Sequence, residues 1–269
     1  MLIDFHTHVF PDKIAERAIA ALKAGMNEQH GYEYPTFSDG TVSGLRESML
    51  MEGVDISVMM PIATKPTQAA SINRFAAENA SESLIAFGTV HPMQEDWEAT
   101  LEALAAEDRK GIKLHPEFQD FYIDSPESLR ILKKCGDLGL IVTFHAGEDI
   151  GYPPPVHATP DRTRRAADAA PDTKLIAAHM GGWNLWEEAA DMLKDTHLMF
   201  DTAYVHILMD APEFGDLVRH FGAERVLFAS DSPWARPTTD MLSYICESGL
   251  SNDELDLITY KNALKLLKL

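Results

Sequence analysis

Two histidines one residue apart open the chain's chemistry: His6 and His8 stand in the run Asp4-Phe5-His6-Thr7-His8-Val9-Phe10-Pro11. On an extended strand residues two apart point the same way, so both imidazoles face one side. Further ligand-type residues close other short apolar runs. His145 stands in Thr143-Phe144-His145-Ala146-Gly147, His179 in Ala178-His179-Met180-Gly181-Gly182, and Asp231 in Ala229-Ser230-Asp231-Ser232-Pro233. A lone histidine on a strand is more often a satisfied core residue than a ligand. Four histidines and an aspartate at matching positions point instead to a metal centre. Imidazoles and a carboxylate suit zinc, while iron or manganese accept the same donors, and an open coordination position makes such a site catalytic. A bound ion of this kind brings a water's pKa to about 7 and polarises a carbonyl.

These residues need a scaffold that gathers strand ends. Apolar runs rich in β-branched residues occur at Leu2–Val9, Asp55–Ala63, Leu84–His91, Gly111–His115, Leu140–His145, Lys174–His179, His197–Thr202 and Arg225–Asp231. Helix-like stretches alternate with them, among them Thr67–Ala80, Asp96–Arg109, Pro126–Leu138, Pro160–Ala170, Leu185–Asp195 and Met241–Gly249. Ser125-Pro126 and Thr159-Pro160 each set a hydroxyl at the cap and a proline at the first helical position. Eight strand-helix units predict an α/β fold, a (β/α)8 barrel, formed by residues 1–269 as a single domain. In such a barrel the active site lies at the C-terminal rim of the strands, where the histidines and Asp231 fall. The Phe10–Val54 stretch is longer than one crossover requires. Its aromatic middle, His30 to Phe37, reads as a loop that is either a lid or an ordinary surface segment.

The formal charge of −19 on 269 residues argues against nucleic acid as a partner. A few cations in one cleft can still attract a small anion. No apolar run reaches membrane-spanning length, and the start of the chain lacks a basic leader, so a cytoplasmic enzyme acting on a small molecule, with no membrane partner, is the expectation. A homodimer is compatible with this reading. Cys135 and Cys246 lie far apart in helix-like segments and are expected to be buried thiols.

The strand-end motifs, together with Gly111-Ile112-Lys113-Leu114-His115-Pro116, resemble the amidohydrolase superfamily. The likeness is strongest to the branch that contains aminocarboxymuconate semialdehyde decarboxylase, and its motifs run from residue 4 to residue 233. The resemblance implies one divalent metal, zinc first and Mn2+ or Fe2+ next, held by His6, His8, His145 and Asp231. It implies that His179 hydrogen-bonds or deprotonates a metal-activated water. Nuclease-like relatives carry a metal-binding glutamate on the fourth strand, where this chain has Lys113 and His115. Some superfamily members carboxylate a fourth-strand lysine to bridge two metals; Lys113 otherwise reads as a substrate contact or a barrel-interior ion pair. His115 shares its face and is a substrate-binding candidate. His157, Arg162 and Arg236 are further candidates, weighed against plain surface roles.

The expected reaction is hydrolysis of a small amide, lactone or related carbonyl, with Asp231 and His179 as the catalytic proton carriers. The alternative is non-oxidative decarboxylation or hydration of a small carboxylate at the same metal. A metal-stabilised binding protein without catalysis is a third reading, opposed by the polar cluster around an open face.

Overall fold

The computed structural model describes residues 1–269. Strands and helices alternate in chain order: β1 (Ile3–Thr7), α1 (Asp12–His30), α2 (Val42–Glu52), β2 (Ile56–Met59), α3 (Ala69–Asn79), β3 (Leu84–Ala86), α4 (Trp97–Ala106), β4 (Gly111–Leu114) and α5 (Pro126–Leu138). They continue as β5 (Ile141–Phe144), α6 (Pro160–Ala169), β6 (Leu175–Ala177), α7 (Trp186–Leu193), β7 (Met199–Asp201), α8 (Ala211–Phe221) and β8 (Val226–Leu227). A π-helical segment, Pro237–Leu242, then leads to α9 (Ser243–Cys246), α10 (Asn252–Asp256) and α11 (Asn262–Leu267).

All strand pairs are parallel, in two runs, β1-β2-β3 and β4 through β8. Backbone bonds join the runs at both seams. Gly88 N–H donates to Gly111 O (2.8 Å) and Lys113 N–H to Gly88 O (2.9 Å), while Phe5 N–H donates to Phe228 O (2.9 Å) and Asp231 N–H to His6 O (3.0 Å). The eight strands therefore form a ring. A side-chain clip reinforces the second seam: the buried Asp4 carboxylate accepts from both the backbone N–H and the hydroxyl of Ser230. Burial pushes the Asp4 pKa up to about 7 against these bonds.

Two apolar layers pack against the ring. The larger lies between strands and surrounding helices, where alternate strand residues such as Ile112, Leu114, Val142 and Phe144 meet Leu101, Ile131 and Leu132. The smaller fills the interior: Ile3, Phe5, Val58, Ile141, Ile176 and Leu227 converge from five strands and Phe87 from the position after β3, and Ala263 and Leu267 of α11 pack with them. Side chains fill the space, as in other barrels of this kind.

The pairing of β1 with β2 sets the phase of the metal-type residues. Asp4 pairs with Ser57 but Thr7 with Met59, so β1 carries one extra residue between them. Such a bulge breaks the simple alternation of a strand. Ile3 and Phe5 can thus fill the interior while His6 and His8 also turn inward.

Helices α1 and α2 occupy much of the stretch that sequence analysis treats as an over-long connection. Thr41 caps α2 by accepting from Gly44 N–H, and Gly31 and Gly53 end α1 and α2 in the left-handed conformation. Residues 31–41 between them are loop, in agreement with the aromatic reading. Phe37 N–H donates to Pro233 O (2.8 Å), which pins this loop beside the β8 rim. Cys135 is buried as expected, whereas Cys246, on the outward side at the end of the short α9, is exposed.

Candidate metal centre

Three donor atoms converge at the C-terminal rim. His6 Nε2 lies 3.1 Å from His8 Nε2 and 3.7 Å from Asp231 Oδ1, and His8 Nε2 lies 3.3 Å from the same oxygen. A tetrahedral ion with bonds of about 2.0–2.1 Å sets its ligand atoms about 3.3 Å apart, so the triangle has the size of one divalent-cation site.

The tautomers fit as well. His6 Nδ1 bonds Asp201 Oδ2 at 2.9 Å and His8 Nδ1 bonds the Met60 carbonyl at 2.9 Å. Each Nδ1 then carries the ring's proton and each Nε2 presents a bare lone pair, the arrangement by which outer partners orient metal-binding histidines. Two such lone pairs 3.1 Å apart repel unless a proton or cation lies near them, and the Lys113 ammonium, 2.9 Å from His6 Nε2, is one such cation. Burial, and then Lys113, lowers the His6 pKa to about 4, which keeps the imidazole neutral. Burial opposes ionisation of Asp231, but the neighbouring His6 and His8 hold its carboxyl well below the usual range. Neutral imidazoles and an ionised carboxylate are the forms a metal binds.

Asp201, at the end of β7, was not singled out from the sequence. It is fully buried; one oxygen holds His6 Nδ1, and the other accepts from the backbone N–H of His179 (2.8 Å) and of Ala203 (3.1 Å). One carboxylate thus positions a metal-type histidine and the turn after β6. Its only sequence signal is its place at a strand end.

His179 faces the same bowl, its ring centre 5.4 Å from that of His6 and 4.6 Å from that of His145. Its Nδ1 bonds Ala203 O at 2.8 Å, which leaves Nε2 bare. The turn that presents it needs the backbone freedom of Gly181, at φ 84°, where a Cβ would lie 2.8 Å from the Phe200 ring. Replacing His179 by asparagine is expected to preserve metal content and lower turnover at least about 10²-fold, the usual scale for a lost acid-base group. Metal analysis and kinetics on one preparation check this, and an unchanged rate would restrict His179 to a structural role.

Lys113 is fully buried in β4, and its Nζ lies 2.9 Å from His6 Nε2. Burial lowers its pKa to about 8, opposed by Asp201, Asp231 and Asp149. It therefore sits as an interior cation among carboxylates, against the metal-type residues rather than at the mouth.

His145 does not join the triangle. It forms a separate group with His115 and Asp149, whose donor atoms lie within 4.8 Å of one another. The outer candidates have other partners. His157 bonds Pro116 O through Nδ1 (3.1 Å) and donates its backbone N–H to Glu117 (2.9 Å). Arg162 pairs with Asp124 at 2.7 Å and lies over the Tyr122 ring. Arg236 pairs with Asp240 at 2.7 Å, and its guanidinium lies 4.8 Å from the centre of the Phe37 ring. These bonds tie loops together and do not bring the three residues into the histidine cluster.

The amidohydrolase family model matches residues 3–269. The chain belongs to the amidohydrolase family. No curated protein matches the sequence. Among solved structures, 5-carboxyvanillate decarboxylase from Sphingomonas paucimobilis is 16% identical, with 100% of this chain and 99% of that chain covered at a TM-score of 0.72. The same enzyme from Novosphingobium aromaticivorans, complexed with manganese and 4-hydroxy-3-methoxy-5-nitrobenzoic acid, is 16% identical, covering 100% and 96% at 0.74. A probable 2-pyrone-4,6-dicarboxylic acid hydrolase from Acinetobacter baumannii, with citric acid bound, is 14% identical, covering 100% and 99% at 0.67. At these identities the likeness establishes the amidohydrolase barrel alone. No helix of this amidohydrolase is long and apolar enough to cross a membrane.

Proposed function

We propose that this amidohydrolase catalyses non-oxidative decarboxylation of a small carboxylic acid at a divalent-metal site formed by His6, His8 and Asp231. The observation that carries the reading is the triangle of bare donors, 3.1, 3.3 and 3.7 Å on its sides, with the unprotonated Nε2 of His179 facing it. Sequence analysis puts hydrolysis first. The decarboxylases among the similar structures, one of them holding manganese and a benzoic acid, support the reverse order. Lys113 adds a buried positive charge beside the triangle, which favours an anionic substrate.

When bound, the ion, zinc or manganese by its donor set, would supply Lewis acidity next to the substrate's oxygens. The chain's own groups handle the proton. Decarboxylation of an acid anion takes up one proton and releases carbon dioxide. His179 Nε2 is placed to take a proton and return it to the carbon from which the carboxylate departs. Asp201 holds both His6 and the His179 backbone in position.

Hydrolysis is the second reading, supported by the probable hydrolase among the similar structures. The same His179 nitrogen would then relay a proton from water to a leaving group. A panel of aromatic carboxylates, lactones and amides, scored for both substrate loss and carbon dioxide, tests the proposal. Carbon dioxide released in equal amount to substrate consumed is expected. Turnover confined to lactones or amides, with no carbon dioxide, would replace decarboxylation by hydrolysis.

A further inference from the structure

Beyond their ladder the ends of β7 and β8 stay tied together. Thr202 N–H donates to Leu227 O (3.1 Å), and the Thr202 hydroxyl donates to Ala229 O and accepts from Ala229 N–H, both at 2.9 Å. Two residues further along each segment stand Tyr204 and Asp231, so the register brings the tyrosine level with a member of the rim triangle. Both have a left-handed backbone, at φ 54° and 66°. That conformation is uncommon for a bulky residue and persists where the surroundings over-determine it. Here three bonds do so: Ala203 N–H donates to Asp201 Oδ1 (3.1 Å), Ala203 O accepts from His179 Nδ1 (2.8 Å), and Tyr204 O accepts from Trp183 Nε1–H (3.2 Å). The tyrosine is thus fixed by the same carboxylate and histidine that serve the metal centre.

Its side chain is nearly enclosed, 7% exposed, with the ring edge-on to His206 at 5.5 Å. The hydroxyl nevertheless makes no hydrogen bond to the chain, and it is not one of the sealed polar atoms of the interior. Burial, and then the nearby Asp231, Tyr34 and Tyr32, push the phenol above the ordinary tyrosine range, which keeps it a neutral O–H donor. Tyr32 and Tyr34, edge-on at 4.8 Å, belong to the loop that Phe37 pins to Pro233 O, so the free hydroxyl lies among the triangle's carboxylate and the aromatic loop beside it. A tyrosine kept only for packing has no use for an oxygen without a partner, because phenylalanine fills the same space.

We propose that the Tyr204 hydroxyl is a catalytic hydrogen-bond donor that holds the substrate oxygen on which negative charge gathers during the reaction. The role rests on the triangle as the reaction centre proposed above, but not on which of the two reactions runs there. Loss of carbon dioxide leaves an electron pair that a conjugated substrate oxygen carries until His179 returns a proton to carbon. Attack by water places the pair on the carbonyl oxygen until the leaving group departs. A donor already fixed in place stabilises either charge without reorganisation at the moment it forms, and the three bonds around Ala203 and Tyr204 supply that fixity.

Tyr204→Phe removes the O–H alone, and its kinetics are measured on whichever member of the carboxylate, lactone and amide panel the wild-type protein turns over. Failure of decarboxylation therefore leaves this test in place. In the variant kcat is expected to fall about 10²-fold or more with KM little changed, the mark of an interaction made in the transition state. Metal content and melting temperature should stay at wild-type values, because the hydroxyl has no partner in the fold. Calorimetry with phenylphosphonate, an anion whose oxygens stand in for the charged one, gives a reading without turnover: binding to the metal-loaded protein should be about 10-fold weaker in Tyr204→Phe. Equal phenylphosphonate affinities, an unchanged kcat in the folded and metallated variant, or a loss confined to KM would each overturn the proposal. A lower melting temperature with a parallel loss of metal would make the hydroxyl structural instead.

Discussion

Replacing His6 and His8 together by alanine is expected to abolish turnover and remove the cation at the rim triangle. The two Nε2 atoms are two of the three donors there, and the remaining Asp231 oxygen offers a single monodentate contact. Structural and catalytic zinc sites alike use at least three protein ligands, so one carboxylate will not retain the ion. The fold will register the two changes differently. His8 is partly exposed and makes its other bond to the Met60 carbonyl, whereas loss of His6 leaves Asp201 Oδ2 and Lys113 Nζ without their partner in the interior. A buried group deprived of its partner costs about 1–3 kcal/mol, so the double variant should melt earlier than His8→Ala. Elemental analysis, a melting curve and the rate measured on one preparation separate the effects. Full metal content in a folded double variant would show that these histidines are not ligands.

Asp231→Asn should separate holding the ion from moving the proton. The amide keeps the size of the side chain and one oxygen donor but cannot accept a proton near neutral pH. The native carboxyl is ionised through His6 and His8 despite its burial, and it occupies a left-handed backbone position at φ 66° that asparagine tolerates. Turnover is expected to fall by about 10²–10⁴, or roughly 3–5 kcal/mol in the barrier, while metal occupancy falls much less. Single-turnover rates normalised to bound metal provide the readout. Equal losses in occupancy and rate would make Asp231 an anchor only, and a normal rate in the metallated variant would remove it from proton transfer.

The barrel was legible because each strand is a short apolar run followed by a polar residue and a turn, a pattern repeated eight times. Its strands are shorter than those runs. Sequence analysis carries the eighth from Arg225 to Asp231, but the ladder stops at Leu227, and Phe228 N–H turns to Ile258 O. Hydropathy marks burial, which continues through Ala229 and Ser230 after the pairing with β7 has ended. Helix α1 was hidden for the opposite reason: only Ala15, Ile19 and Met26 are buried over its 19 residues, too sparse an apolar stripe to stand out.

For the site, residue type and strand-end position bring His6, His8, His179 and Asp231 to one bowl. The division of the donors into two groups was not legible, because it depends on the turn at Gly147 that brings Asp149 over His115 and His145. Asp201 was missed because its role is to hold two other groups, and a single acidic residue at a strand end carries no sign of which atoms it will meet.

The register shift in β1 gives the barrel interior two phases. Before it the odd-numbered residues Ile3 and Phe5 point inward; after it the even-numbered His6 and His8 do. Packing below and ligation above therefore draw on different positions of one strand, and a change at Phe5 need not rotate the imidazoles. The same division makes both functions depend on the bulge. A regular alternation over the same residues would force a choice between two outcomes: the histidines outside among the helices, or Ile3 and Phe5 outside with Asp4 driven into the apolar floor.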